Sequence, residues 1–158
     1  MREIGHFIGG KHVKGASGRT SDVFQPMTGE VIGKVALANA KEVRAAVENA
    51  KAAQPAWAAT NPQRRARVMF KFLELVAKEN DALAELLARE HGKTVADAKG
   101  DIQRGVEVVE FACGIPHLMK GEYSDNAGSN IDLYSMRQPL GVVAGITPFN
   151  FPAMIPMW

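Results

Sequence analysis

The side chain best suited to chemistry is Asn150, which stands between Phe149 and Phe151 and just ahead of Pro152. It lies in residues 141–158, a stretch that carries no charge at all. Its amide offers two N–H donors and a carbonyl acceptor, and a single amide among apolar residues at the end of an apolar run is a candidate site. The same residue could instead cap the next helix, with Pro152 at an early helical position. Local chemistry leaves both readings open. Cys113 is the obvious nucleophile to test, with His117 four residues on. Pro116 interrupts the helix that would join them, and Cys113 shares an apolar stripe with Val106 and Val109, so a buried structural thiol is predicted. The histidines at positions 6, 12, 91 and 117 and the lone cysteine give no cluster with zinc spacing, so no metal is expected. There is no G-x-S-x-G and no G-x-G-x-x-G after a strand. The run Glu90-His91-Gly92-Lys93-Thr94 is comparable with the end of a phosphate-binding loop, but Leu87 stands where that motif needs its first glycine.

The elements that must carry these residues follow from periodicity. Residues 7–13 form a short strand that runs through Gly9-Gly10, a dipeptide suited to the positive-φ positions of a hairpin turn. Residues 19–25 and 30–36 form two further strands around the turn Pro26-Met27-Thr28-Gly29, giving a small antiparallel sheet before any helix. Asn39 with Glu42 three residues later is a capping box, and the helix it opens is expected to stop near Pro55. Asn61-Pro62 opens a second helix with Val68, Phe72, Leu75 and Val76 on its buried face and Lys71, Glu74 and Lys78 on its wet one. Asn80-Asp81 interrupts or restarts that helix, and Leu83, Leu86 and Leu87 carry the apolar stripe to His91-Gly92, where glycine suits a helix end. Residues 95–114 form a third helix with Ile102, Val106, Val109 and Cys113 on one face; Gly100 and Gly105 within it imply close packing against another element. Beyond Pro116 a polar loop leads to a strand over residues 131–138, and the Val- and Ile-rich residues 141–146 read as a strand buried on both faces of a parallel sheet, ended by Thr147-Pro148.

Composition bounds the partners. The 158 residues are 46% hydrophobic and 23% charged, ordinary for a globular domain with a real core. A formal charge of +2, from 19 basic and 17 acidic residues spread along the chain, excludes a nucleic-acid footprint. One cysteine fits a reducing compartment, and the N-terminus lacks the apolar core of a secretory signal, so cytoplasm is the expectation. Residues 139–158 reach the length of a membrane span, but Pro139, Pro148, Pro152 and Pro156 would leave backbone groups unpaired in hydrocarbon, and no membrane role is expected. An apolar run ending in Met157-Trp158 needs something to bury it, so the sequence is expected to be truncated.

The sextet Thr147-Pro148-Phe149-Asn150-Phe151-Pro152 resembles a hallmark of the NAD(P)-dependent aldehyde dehydrogenase superfamily, in which such a run closes the first strand of the nucleotide-binding sheet. Residues 19–32 resemble the opening strand and turn of the same family, with Gln25 where Asn is commoner, and Gly92-Lys93 resembles its corresponding helix end. The resemblance implies an α/β fold: the N-terminal part of an aldehyde dehydrogenase, with a small antiparallel sheet, helices and the first strand of a Rossmann-like sheet. It divides the chain into residues 1–119 (sheet and helices of the NAD-binding domain), 120–138 (an oligomerisation arm around Asn126-Ala127-Gly128-Ser129) and 139–158 (the start of the nucleotide-binding sheet).

For the site, the resemblance implies that Asn150 receives the oxyanion formed when a cysteine thiolate attacks an aldehyde. Ile146, Thr147, Pro148 and Phe149 would contact NAD at its nicotinamide ribose. The nucleophilic cysteine and the glutamate base would lie beyond this sequence, leaving the fragment alone inactive. Phe149 in place of Trp, residues 153–158 and the N-terminal strands are most similar to the branch that oxidises methylmalonate or malonate semialdehyde and passes the acyl group to coenzyme A. In that branch Arg104 would meet the substrate carboxylate; the alternative is an ion pair with Asp101 at i to i+3. Phe151, Met154 and Trp158 are candidates for the aldehyde channel, and the expected assembly is a homo-oligomer, dimer or tetramer. A competing reading from another class is a mainly helical interaction module whose apolar tail docks onto a partner.

Overall fold

A computed structural model describes all 158 residues. The chain begins with strands β1 (Arg2–Ile4), β2 (His6–Ile8), β3 (Lys11–Val13), β4 (Thr20–Phe24) and β5 (Val31–Ala36). As predicted, β2 and β3 form an antiparallel hairpin, and Gly9 and Gly10 turn it with φ of 60° and 75°, values that suit residues without a Cβ. Strands β4 and β5 are antiparallel, with Asp22 and Lys34 directly opposed and paired at 2.8 Å. The sheet is not purely antiparallel, however. β1 pairs with β5 in parallel, giving the order β1-β5-β4, because the first residues reach back to the free edge that β5 offers. No local turn signal announces a pairing across thirty-odd residues of sequence.

Helix α1 (Ala40–Ala59) starts at the expected capping box: the Asn39 side chain accepts from the amides of Lys41 and Glu42, and Glu42 accepts from the amide of Asn39 at 2.9 Å. Glu42 also accepts from the amide of Ala16 at 2.6 Å, which ties the loop before β4 to the helix; the Asn39 bond and then the Ala16 bond hold its carboxyl below the usual range. The expected stop at Pro55 does not occur, and α1 runs through it to Ala59. Proline removes one backbone donor, but Ala52, Ala53, Ala56, Ala58 and Ala59 surround it, and alanine has the strongest intrinsic helix preference.

Helix α2 (Pro62–Lys78) is capped by Asn61, whose side chain accepts from the amide of Arg64 at 2.9 Å, with Pro62 in the first turn as expected. At Glu79 the chain breaks and α3 (Asn80–His91) begins, so there are four long helices rather than three. Gly92 ends α3 in the left-handed region, φ 87°, donating to the carbonyl of Ala88. Helix α4 (Val95–Cys113) is capped by the Thr94 hydroxyl. A short helix α5 (Ile115–Leu118) replaces the expected loop, with Pro116 in its first turn, where the missing donor does no harm. Strands β6 (Tyr123–Gly128) and β7 (Ile131–Tyr134) form a separate exposed hairpin. The strand expected over residues 131–138 stops at Tyr134, because β6 offers no partner further along. The last element is α6 (Met154–Met157).

The core is the junction of α2, α3 and α4: Val76, Ala84, Leu87, Ala98 and Ile102, with Ala88, Val106 and Ala153 packed against them. It is thin, since only 11 of 158 residues are buried. Of the face expected to be buried on α2, only Val76 is; Val68, Phe72 and Leu75 stay well exposed, because no element crosses them. They line an open apolar groove of about 1050 Å³ with Leu83 and Leu87 on one side and Phe149, Pro152 and Met157 on the other, Leu75 excepted. Residues 141–146, expected as a buried strand, form neither strand nor helix. A strand exists only when its amides and carbonyls are paired, and here the backbone of residues 141–149 makes no hydrogen bond within the chain.

The two helix glycines separate cleanly. A Cβ on Gly105 would lie 2.5 Å from Met157 Sδ and 3.2 Å from Met154 Cα, the close packing that was expected, whereas one on Gly100 would meet nothing within 4 Å. Gly105→Val is therefore expected to lower stability by about 1–3 kcal/mol through forced displacement of α6. Gly100→Ala is expected to raise stability by up to about 1 kcal/mol through helix preference alone. Urea unfolding midpoints of the two variants check both signs.

Candidate active site

The candidate site is built where residues 147–154 cross the face of α4. It begins with a charge in an unusual place. Asp101 sits on the apolar stripe of α4, flanked by Ala98, Ile102 and Gly105, and its side chain is completely buried. A buried carboxylate requires partners. Lys93, the first residue after the glycine that ends α3, supplies the charge: its Nζ lies 3.1 Å from Asp101 Oδ2, and its side chain is only 13% exposed. The other carboxylate oxygen, Oδ1, accepts from the amide of Met154 at 2.8 Å. Lys93 Nζ also donates to the carbonyl of Asn150 at 3.0 Å and stands 4.5 Å from the centroid of the Phe151 ring. One lysine and one aspartate thus hold the motif at both ends.

This pair is a costly device as well as a strong one. Ion pairs out of water recover their desolvation only when their remaining hydrogen-bonding capacity is used, and here backbone groups of the motif use it. Losing Lys93 alone would strand a buried carboxylate, a change that costs on the order of 3–5 kcal/mol.

The arrangement removes two of the alternatives left open above, the helix cap at Asn150 and the Arg104–Asp101 pair. Asn150 does not cap the next helix: α6 starts from Ala153 without a side-chain cap, and the carboxylate of Asp101 meets its first amide instead. The Asn150 side chain is exposed and makes no hydrogen bond with the protein, while its backbone carbonyl is anchored. Arg104 does not pair with Asp101, whose two oxygens are taken by Lys93 and Met154. Its guanidinium carbon instead stands 5.6 Å from the Phe151 centroid, on an exposed side chain. Arg104 and Lys93 both stand against that ring, which brings Arg104, Phe151 and the Asn150 backbone into one neighbourhood. Ile146 is fully exposed, at 101%, and Phe149 is 86% exposed; Thr147 and Pro148 between them are exposed too. Met154 is half-buried against Gly105, and Trp158 is 79% exposed.

This architecture, from N-terminal sheet to the residues 147–152, is that of a known family. The aldehyde dehydrogenase family model matches residues 12–158. The chain belongs to the aldehyde dehydrogenase family. Among curated members, it is 51% identical over 158 residues to the malonate-semialdehyde dehydrogenase of Pseudomonas aeruginosa, covering all of this chain and 32% of that protein. It is 48% identical over 152 residues to the human mitochondrial enzyme named methylmalonate-semialdehyde/malonate-semialdehyde dehydrogenase [acylating], covering 96% of this chain and 28% of that one. Among solved structures, a Sinorhizobium meliloti protein assigned as a methylmalonate-semialdehyde dehydrogenase and complexed with NAD superposes with a TM-score of 0.97 at 65% identity, over all of this chain and 32% of its own. The chain therefore spans about a third of the length of these relatives, matching the N-terminal portion of the aldehyde dehydrogenase fold. The α/β class read from the sequence stands, and the reading as a helical interaction module does not.

Lys93 and Asp101 were not singled out as site residues by sequence reasoning. A signal existed for Asp101, because a charge at position 101 falls on the same helical face as positions 98, 102, 105 and 109. For Lys93 the signal was the resemblance of Gly92-Lys93 to the family's helix end, which gave it no role at the site. No helix of this member is long and apolar enough to cross a membrane. The apolar groove is not the chemical site: of its lining only Glu90 and His91 are polar, and neither Asn150 nor Arg104 borders it. Cys113 is buried, as predicted. Burial first, and then the charge of Glu110, push its thiol above the ordinary range, the opposite of what an activated nucleophile needs. Iodoacetamide near neutral pH is accordingly expected to label Cys113 at least about tenfold more slowly than a free cysteine, because so little is thiolate. Labelling should accelerate to the free rate in urea; rapid labelling of the folded chain would contradict a structural role.

Proposed function

We propose that this chain is the N-terminal part of an NAD-dependent aldehyde dehydrogenase that oxidises malonate or methylmalonate semialdehyde and delivers the acyl group to coenzyme A. The observation that carries the reading is the state of Asn150: its backbone is fixed by Lys93, while its amide is exposed and unpartnered beside Phe151 and Arg104. An amide held this way can give an N–H to an oxygen that gains charge during reaction, with no other bond to break first. In this reading a cysteine thiolate outside these residues attacks the aldehyde carbon, and the carbonyl oxygen becomes an alkoxide that Asn150 stabilises as hydrogen-bond donor. A glutamate base, also outside these residues, serves the proton transfers.

The residues present suit a nicotinamide dinucleotide. From Ile146 to Phe149 the backbone is uncharged, exposed and free of hydrogen bonds within the chain, so its amides and carbonyls are open to a polar ligand and no carboxylate among them repels a diphosphate. When bound, NAD supplies the hydride acceptor. Residues 146–149 would hold its nicotinamide ribose. Coenzyme A as acyl acceptor rests on the likeness to relatives whose name includes the acylating activity. Arg104 is read as the cation that meets the substrate's own carboxylate; its exposed guanidinium beside Phe151 supports this, and guanidinium recognises carboxylate through two parallel bonds. Phe151, Met154 and Trp158 are read as the apolar wall of the aldehyde channel. Residues 120–138, with the exposed hairpin β6–β7, are read as the arm of a homo-oligomer, a dimer or tetramer.

Two experiments on a full-length enzyme carrying this chain test the reading. Asn150→Ala is expected to lower kcat about a hundredfold to a thousandfold with little change in nucleotide affinity, the usual cost of one oxyanion donor. NADH formation with and without coenzyme A measures it. Arg104→Leu is expected to raise KM for malonate semialdehyde at least about tenfold more than for propanal, because only the first substrate loses a charged partner. Equal effects on the two aldehydes would remove Arg104 from the specificity site.

A further inference from the structure

We propose that Lys93 and Asp101 are positioning residues for Asn150, fixing the backbone of residues 150–154 at both ends so that the Asn150 amide keeps one direction while charge develops on the substrate oxygen. The proposal rests on the reading of Asn150 as the oxyanion donor and goes beyond it, since the hydrogen bonds of Lys93 and Asp101 to the motif reach its backbone and not the Asn150 side chain.

The geometry supports orientation rather than stability. The carbonyl of Asn150 and the amide of Phe151 belong to one rigid peptide plane. A donor held at 3.0 Å from that carbonyl therefore sets ψ of Asn150, and with it the direction in which the side chain leaves the backbone. Four residues on, the Asp101 carboxylate holds the Met154 amide at 2.8 Å, so the intervening turn cannot slide along α4. The two anchors are joined by their own 3.1 Å ion pair, and Phe151 lies over Lys93, which leaves the lysine little freedom. A buried ion pair is a poor way to add stability, because apolar residues of the same size do as well. Its value here is direction: each partner spends its remaining hydrogen bond on the backbone of the motif. The unpartnered amide of Asn150 and the anchored carbonyl of the same residue are two sides of one arrangement.

The test is a cycle of variants in the full-length enzyme, read by NADH formation, KM for NAD and thermal midpoint. Lys93→Met alone leaves Asp101 buried and unpaired and can fail to fold, so the deciding variant is Lys93→Met with Asp101→Asn, in which no charge is stranded and the new amide can still accept from Met154. It is expected to lower kcat about tenfold to a hundredfold while KM for NAD changes less than about twofold, the pattern of a displaced transition-state donor. Lys93→Arg, which keeps a charged donor, should recover most of the loss. Adding Asn150→Ala to the charge-neutral pair is expected to cost less than about threefold more, because both changes act through the same hydrogen bond. If the losses instead multiply, Lys93 and Asp101 act elsewhere and the positioning role is overturned, although Asn150 keeps its own. A fall in thermal midpoint with kcat unchanged would overturn it as well, leaving the pair purely structural. If Asn150→Ala alone leaves kcat unchanged, the oxyanion reading fails and the positioning role with it.

Discussion

A carboxylate with no exposed surface is the constraint around which the functional half of the chain is arranged. Asp101 stands on the helix face that packs the core, between Ala98 and Ile102 in the innermost layer. A group of this kind folds only if a cation and further donors arrive with it. Lys93 arrives because Gly92 turns the chain out of α3 in the left-handed conformation, so the next side chain heads back across α4. Met154 arrives because Gly105, one turn along from Asp101, has no side chain to keep α6 away. Two glycines with different jobs, one conformational and one steric, thus allow one ion pair to close.

The rest of the molecule is far less enclosed. Most of its large apolar side chains remain exposed, and the groove between α2, α3 and the motif is lined by them almost throughout. Contiguous apolar surface of that size marks a face that meets other protein. The uncharged residues 141–146 show the same property in backbone form, since their amides and carbonyls have no partners within the chain. Relatives about three times as long as this chain share its fold over the whole of it, and their additional residues are the natural source of such partners.

What could be read from sequence divides by the distance over which each feature is decided. The capping box at Asn39, the Asn61-Pro62 start, the Gly9-Gly10 turn and the glycine end at Gly92 depend on residues within four positions, and all were legible. The parallel pairing of β1 with β5 depends on residues about thirty apart, and nothing near Arg2 encodes it. Pro55 misled because propensity rules weigh a residue by itself, whereas the alanines around it decide the outcome. The strand expected over residues 141–146 failed for a related reason: Val and Ile describe a chain able to pair, and pairing needs a second chain segment. At the site, the sextet around Asn150 was legible because its residues are consecutive. The residues that hold it, Lys93 and Asp101, lie 57 and 53 positions away from their backbone partners, beyond any local pattern.

This separation between what does chemistry and what holds it has a physical basis. An amide that is to stabilise a transient charge must be free of partners in the resting state, or its bonds would have to break at the moment of reaction. Freedom of the side chain and fixity of the backbone are opposed demands on one residue, because a side chain with no contacts contributes nothing to its own placement. In its proposed role Asn150 would meet both through its carbonyl, which is held by a lysine whose charge is already balanced by Asp101. Balance matters, since an uncompensated ammonium at this position would raise the local potential and favour any anion near the motif. With Asp101 paired to it, Lys93 acts chiefly as a hydrogen-bond donor, and the exposed guanidinium of Arg104 beside the same Phe151 ring is the cation that the proposed function assigns to the substrate carboxylate.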